Sequence, residues 1–194
     1  MQLLTVYPSQ PECRNLDTAV DALRNGQIII YPTDTLYALG CDALNQRAIE
    51  RLCRLKGINP DKNLLSVVCD GIAMAAEYAR IDNEAFRIIR GAVPGPYTFI
   101  LPASTRLPKI FKGRKTVGIR IPDNSIARAL ATALGHPVLT TSCQMPDPED
   151  LRNPEAIAAH YGNNATLTID GGEGGITPSS VIDLTDSSNP VTIR

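Results

Sequence analysis

Residues 31–40 read YPTDTLYALG and follow the apolar run Ile28-Ile29-Ile30. A β-branched run that meets a proline reads as a strand coming to its end, because Pro32 fixes φ and has no N–H to give a ladder. The next residues, Thr33, Asp34, Thr35 and Tyr37, are dense in hydroxyls around one carboxylate. Asp34 can cap a turn, so a simple bend is one reading. A binding loop is the other, because strand ends in α/β folds carry ligand sites and hydroxyls beside a carboxylate suit a small polar substrate. The local sequence leaves both open.

Working outward, Asn15 is placed to cap a helix that carries Leu16, Ala19, Val20 and Leu23 on one face and stops at Gly26, before a strand over 27–31. Asn45 opens a second helix with Ala48, Ile49, Leu52 and Leu55 on its apolar side, ending near Gly57. LLSVVC (64–69) reads as a buried strand, Asp82 caps a helix through Ala85, Phe86, Ile88 and Ile89, and VPGPYTFIL turns at its prolines into a strand over 97–101. A strand over 116–121, a helix over 125–134 capped by Asn124 and a strand over 137–142 continue the alternation. A proline-led helix near 153–160, a strand at 165–169, the turn DGGEGG and strands at 181–184 and 191–193 complete it. Helices and strands in turn predict an α/β fold with a large mixed sheet, and 194 residues without a repeat or low-complexity tract predict one domain over 1–194.

The bulk numbers exclude several classes. An apolar fraction of 43% with 20% charged residues argues against a disordered chain. A net charge of −1 gives no whole-molecule attraction to nucleic acid or anionic lipid. Five cysteines at 13, 41, 53, 69 and 143 contain no C-x-x-C pair, which fits core thiols in a reducing cytosol better than a disulfide framework. His136 and His160 have no neighbour at metal-ligand spacing, so no structural metal is expected. The first residues lack a signal-peptide pattern, and no run approaches the roughly 18 residues of a membrane span. A cytoplasmic protein is the expectation.

Chemistry has two places to sit. Arg106, Lys109, Lys112, Arg114, Lys115 and Arg120 form a basic run without an acidic residue, either a solvated edge or a surface for phosphates of a nucleotide or an RNA backbone. Arg51, Arg54, Lys56 and Lys62 make a second, weaker cluster. No phosphate-binding G-x-x-x-x-G-K-[ST] loop and no G-x-S-x-G elbow occurs, and Ser142-Cys143 has no evident histidine partner.

In order, YPTDTLYALG (31–40), KGINPDKNLLSVV (56–68), PGPYTFIL (94–101), TVGIRIP (116–122), TTSCQ (140–144) and PSSVIDL (178–184) resemble the YrdC-like family, whose best understood members are threonylcarbamoyl-AMP synthases. YALG in place of YGLG, and a TTS strand without the usual SAN, resemble its YciO branch. The resemblance implies a twisted mixed sheet with flanking helices around a basic cavity. It also implies condensation of L-threonine, bicarbonate and ATP, with Mg²⁺, to threonylcarbamoyl-AMP and pyrophosphate, a step toward threonylcarbamoyladenosine in tRNA.

By matching position, the resemblance assigns Thr33, Tyr37, Arg120 and Ser179 to the amino-acid substrate. It assigns Lys56, Lys62, Thr116, Ser142 and Arg194 to the nucleotide, with Lys56, Lys62 and Arg120 as the cationic machinery. A planar guanidinium such as Arg120 suits a substrate carboxylate. Two departures weigh against efficient synthase activity. The family's Lys-x-Arg is Lys56-Gly57-Ile58 here, and its Ser-x-Asn is Ser142-Cys143-Gln144. An RNA-binding module for tRNA, double-stranded RNA or ribosomal RNA, and nucleotide chemistry on another small acid, stand as alternatives.

Overall fold

The computed structural model describes all 194 residues. Ten strands join one mixed sheet: β1 (Gln2–Thr5), β2 (Ile29–Tyr31), β3 (Ala38–Asp42), β4 (Ser66–Val68), β5 (Tyr97–Pro102), β6 (Thr116–Arg120), β7 (Val138–Ser142), β8 (Leu167–Asp170), β9 (Ser180–Asp183) and β10 (Val191–Thr192), in the order β1-β8-β2-β3-β7-β4-β6-β5-β9-β10. Six helices flank it: α1 (Arg14–Arg24), α2 (Gln46–Lys56), α3 (Ile72–Tyr78), α4 (Asn83–Arg90), α5 (Ser125–Leu134) and α6 (Pro154–Tyr161). No helix is long and apolar enough to cross a membrane.

The caps follow the sequence at most ends. The side chains of Asn45, Asp82, Asn124 and Asn153 accept the first free N–H groups of α2, α4, α5 and α6. Gly57 and Gly135 end α2 and α5 in the left-handed region that glycine enters freely. Asn15 is a correction. Helix α1 begins at Arg14 behind Cys13, which gives no side-chain cap, and Asn15 lies inside the first turn, where its amide donates to the Thr5 carbonyl at 2.7 Å. The asparagine therefore ties α1 to β1.

YPTDTLYALG spans a strand end, a loop and a second strand. Tyr31 closes β2, residues 32–37 form the loop, and β3 returns antiparallel, pairing Tyr31 with Ala38 and Ile29 with Gly40. Gly40 lies within β3. A Cβ there would stand 2.6 Å from the Tyr31 ring and 2.9 Å from Val138, so only glycine lets that ring lie flat on the sheet. Tyr31 is fully buried and its hydroxyl donates to Thr140 Oγ1 at 2.8 Å.

Period-2 alternation sorts the strands into two faces. Ile30, Leu39, Val67, Phe99, Val117, Ile119 and Leu139 face one core, packed against α2 and α4. Ile29, Tyr31, Ala38, Val68 and Val138 face the other, roofed by α1 and α5 through Leu16, Leu23, Ile126 and Leu130. On that second face the register continues from Val68 and Val138 to Ser66, Gly118, Arg120 and Thr140. There the apolar side chains give way to hydroxyls, glycine and one arginine. The change of chemistry marks where the cavity begins.

Candidate functional site

The cavity encloses about 320 Å³. Its lining comes from Ser66 of β4, Thr98 of β5, Arg120 of β6, Thr140 and Ser142 of β7, and Ser179 and Val181 at β9. Leu52 of α2, Ile58 and Leu64 complete a wall, and Arg194 lines it from the last residue. Gly118 sits between Ser66 and Thr98, and a Cβ at 118 would overlap the Ser66 hydroxyl. The missing side chain keeps the floor open.

Arg120 is 5% exposed. Its Nη2 donates to Asp34 Oδ1 at 2.8 Å and to Thr35 Oγ1 at 2.9 Å, while its Nε is buried without any partner. Burial lowers its pKa and the Asp34 charge opposes that, so the group is a cation anchored on one nitrogen. Asp34 reaches the Asp123 N–H through its other oxygen at 2.9 Å. A buried guanidinium beside hydroxyls in a cavity lining is suited to an anion, because carboxylate and phosphate oxygens accept charge-assisted hydrogen bonds from it.

Thr33 does not line the cavity. Its hydroxyl donates to the Leu36 carbonyl at 2.7 Å and lies 3.0 Å from Thr35 Oγ1, which places it one hydroxyl behind Arg120. Tyr37 is also set back. Its hydroxyl donates to the Gly172 carbonyl at 2.7 Å and accepts the Gly171 N–H at 3.1 Å, and burial pushes its pKa up to about 12. The DGGEGG turn is thereby pinned onto the loop, where Gly174 admits the Tyr37 ring and Gly175 the Thr35 carbonyl at distances no Cβ would allow. Ser179 shares a hydrogen bond of 2.8 Å with Thr98, and its carbonyl accepts Arg194 Nε at 3.2 Å.

Of the residues assigned to the nucleotide, Ser142 and Arg194 line the cavity. Thr116 stands two positions before Gly118 on the same face of β6, its hydroxyl buried and unpartnered. Lys56 Nζ donates to the Ser142 carbonyl at 3.0 Å and to Gln144 Oε1 at 2.8 Å, so the lysine is held beside the cavity by the residue that replaces the family's asparagine. Burial lowers the Lys56 pKa. Lys62 is exposed and outside the lining; its carbonyl accepts Arg114 Nη1 at 2.6 Å. The basic run thus divides, with Arg120 inward and Lys109, Lys112, Arg114 and Lys115 at the surface.

Ser66, Thr98 and Thr140 line the cavity, with Gly118 packed between Ser66 and Thr98, although none of the four was assigned a role within the motifs that contain them. Their signal was a small or hydroxyl residue at alternate positions inside an apolar strand, in SVV, YTFIL, VLTTS and TVGIR.

The family described as "Telomere recombination", Sua5/YciO/YrdC, matches residues 21–194. YciO of Escherichia coli (strain K12) is 40% identical over 196 residues, covering all of this chain and 94% of that protein. A threonylcarbamoyl-AMP synthase of Vibrio vulnificus (strain YJ016) is 31% identical over 160 residues, covering 81% of this chain and 86% of the relative. The crystal structure of E. coli YciO superposes with a TM-score of 0.91 at 39% identity over the whole of this chain and 94% of that one. P. abyssi Sua5 complexed with L-threonine superposes at 0.87 and 29% identity, over the whole of this chain and 57% of that one. With the family model spanning nearly the whole sequence and a 40% identical relative, the chain belongs to the Sua5/YciO/YrdC family.

Proposed function

We propose that the cavity binds L-threonine and MgATP and that the protein is a threonylcarbamoyl-AMP synthase-like enzyme of the cytoplasm, condensing threonine, bicarbonate and ATP with release of pyrophosphate. The observation that carries this reading is one cavity lined by the Arg120 cation, Arg194, and the hydroxyl residues Thr98, Ser142 and Ser179, in a fold whose P. abyssi relative is complexed with L-threonine. About 320 Å³ is the small end of ligand pockets, which suits an amino acid held deep with the triphosphate reaching outward.

In this reading the Arg120 guanidinium takes the threonine carboxylate, and the Ser179–Thr98 pair turns a hydroxyl to the substrate. Carboxylated threonine is an oxygen anion and needs little general-base help. Its attack on the α-phosphorus forms the new P–O bond as the bond to pyrophosphate breaks, so the demand on the protein is to hold two anions in line and offset their repulsion. Mg²⁺ bound to the phosphates of ATP would neutralise part of that charge. Arg194 and Lys56 supply the rest, and Lys56 must exchange Gln144 for a phosphate oxygen to do so. RNA enters only downstream, as acceptor of the threonylcarbamoyl group in tRNA.

Pyrophosphate release is measured with ATP, bicarbonate and L-threonine against Lys56→Ala and against mixtures without threonine. Threonine-dependent release above both controls supports the reading. Release equal to the Lys56→Ala control, with no thermal stabilisation by L-threonine, removes it.

A further inference from the structure

A second cavity of about 490 Å³ lies outside the one described and shares no residue with it. Its floor is apolar, made of Pro102, Leu107, Pro108 and Phe111, and Leu107 and Phe111 belong to the main core. Three cations, Arg80, Lys112 and Lys115, also line it, without a single acidic residue. None of the three has an ion-pair partner. Other members of the basic run are engaged elsewhere, Arg106 with Glu77 and Arg114 with the Lys62 carbonyl.

The backbone under these cations is built, not loose. Ala79 and Ala103 form an antiparallel bridge, with Arg80 N–H donating to Pro102 at 2.9 Å and Ser104 N–H to Tyr78 at 2.9 Å, which fixes Arg80 at the cavity edge. Lys115 has φ 59°, the one non-glycine residue in the left-handed region. A side chain with a Cβ is unfavourable there, so the fold accepts local strain at a residue that lines the cavity. Its own N–H donates to Phe111 and its carbonyl accepts from Ala103, locking that conformation.

An apolar floor under uncompensated positive charge selects an occupant with the opposite arrangement. We propose that this second cavity binds a small molecule that carries a phosphate, sulfonate or carboxylate on an apolar body, the body on the half-buried Pro102, Ala103 and Pro108 that overlie Leu107 and Phe111, and the anion between Arg80, Lys112 and Lys115. A bare polyanion leaves the floor unused. A stacked nucleic-acid strand is disfavoured because Phe111 is 4% exposed and offers no ring face to a base. This site is independent of the reading of the first cavity.

The test titrates the protein with 8-anilino-1-naphthalenesulfonate, an aryl sulfonate whose fluorescence rises in apolar surroundings. Variants are Lys112→Glu combined with Lys115→Gly, the glycine matching the local φ, and Ile58→Glu in the first cavity, each checked by circular dichroism. The expected result is saturable binding that weakens tenfold or more in the Lys112/Lys115 variant and holds in Ile58→Glu. Phenyl phosphate or octanoate should displace the probe, their relative strength separating phosphate from carboxylate ligands, and hexylammonium should not. No saturable binding, equal binding by the Lys112/Lys115 variant, or loss confined to Ile58→Glu overturns the proposal. Duplex RNA binding that depends on Lys112 and Lys115 while the small anions fail to bind also overturns it and makes the surface an RNA contact.

Discussion

Asp34 and Arg120 form an ion pair of 2.8 Å with side chains only 8% and 6% exposed. The pair joins the loop after β2 to the end of β6, residues 86 apart in sequence. Asp34 also holds the Asp123 N–H, so a single carboxylate fixes three segments around the cavity mouth. A buried cation stripped of its partner is far more costly than an exposed one, on the order of 3–5 kcal/mol. Asp34→Ala should therefore lower unfolding free energy by about that amount in urea titration. A loss below about 1 kcal/mol would show that water reaches the guanidinium and that the pair is not what orients it.

The same loop depends on Tyr37. Its hydroxyl serves the Gly172 carbonyl and the Gly171 N–H, and Tyr37→Phe leaves both without that partner. The expected cost is roughly 1–3 kcal/mol, with faster amide exchange at Gly171. The pH dependence has a definite sign. The folded pKa of Tyr37 is raised, to about 12 from an ordinary 10, so the fold favours the neutral phenol. The advantage of the wild type over Tyr37→Phe is full below pH 10 and declines as pH rises toward 12. A constant difference between pH 9 and 12, in chemical unfolding, would contradict it.

Helix ends and strand cores were legible because their causes are local. Asn45, Asp82 and Asn124 cap the helices that follow them, and Gly57 and Gly135 end α2 and α5, as adjacent residues dictate. Asn15 misled because a side chain able to cap can equally bond a distant carbonyl, and Thr5 is brought close only by the tertiary fold. Strand β3 has no counterpart in the sequence reading, because Ala38 to Cys41 are buried without a period-2 alternation and the place of Gly40 is explained only by the Tyr31 ring across the ladder. At the site, Arg120 and Thr33 could be named from motifs, whereas their relation through Thr35 could not. Ser66, Thr98 and Thr140 come from three strands, and only the register aligns them on one face.

Gly118 tests whether the open floor matters. Adding a methyl group there forces it against the Ser66 hydroxyl and within 3.1 Å of the Thr98 methyl. Gly118→Ala should cost about 1–3 kcal/mol as overpacking of a rigid sheet. It should also abolish thermal stabilisation by L-threonine, since the added methyl group displaces Ser66 and crowds Thr98, both of which line the cavity. Full retention of that stabilisation would place the amino acid elsewhere.

Ile58 is the departure most open to reversal. It lines the cavity one residue beyond Gly57, where the family motif carries a guanidinium, and its N–H is already fixed by the Cys53 carbonyl at 2.8 Å, so a new side chain inherits a set backbone. A hydrogen bond to a charged group contributes roughly 1.5–3 kcal/mol, about tenfold or more in binding. Ile58→Arg should therefore tighten ATP binding by at least about tenfold, read by calorimetry, and raise threonine-dependent pyrophosphate release by a similar factor. Because Lys56 is tied to Gln144, the double variant with Gln144→Asn should gain more than the two single changes together: the shorter amide reaches less far toward Nζ and frees the ammonium for phosphate. Unchanged ATP affinity in Ile58→Arg, with the fold intact, would mean that the phosphates do not pass this wall.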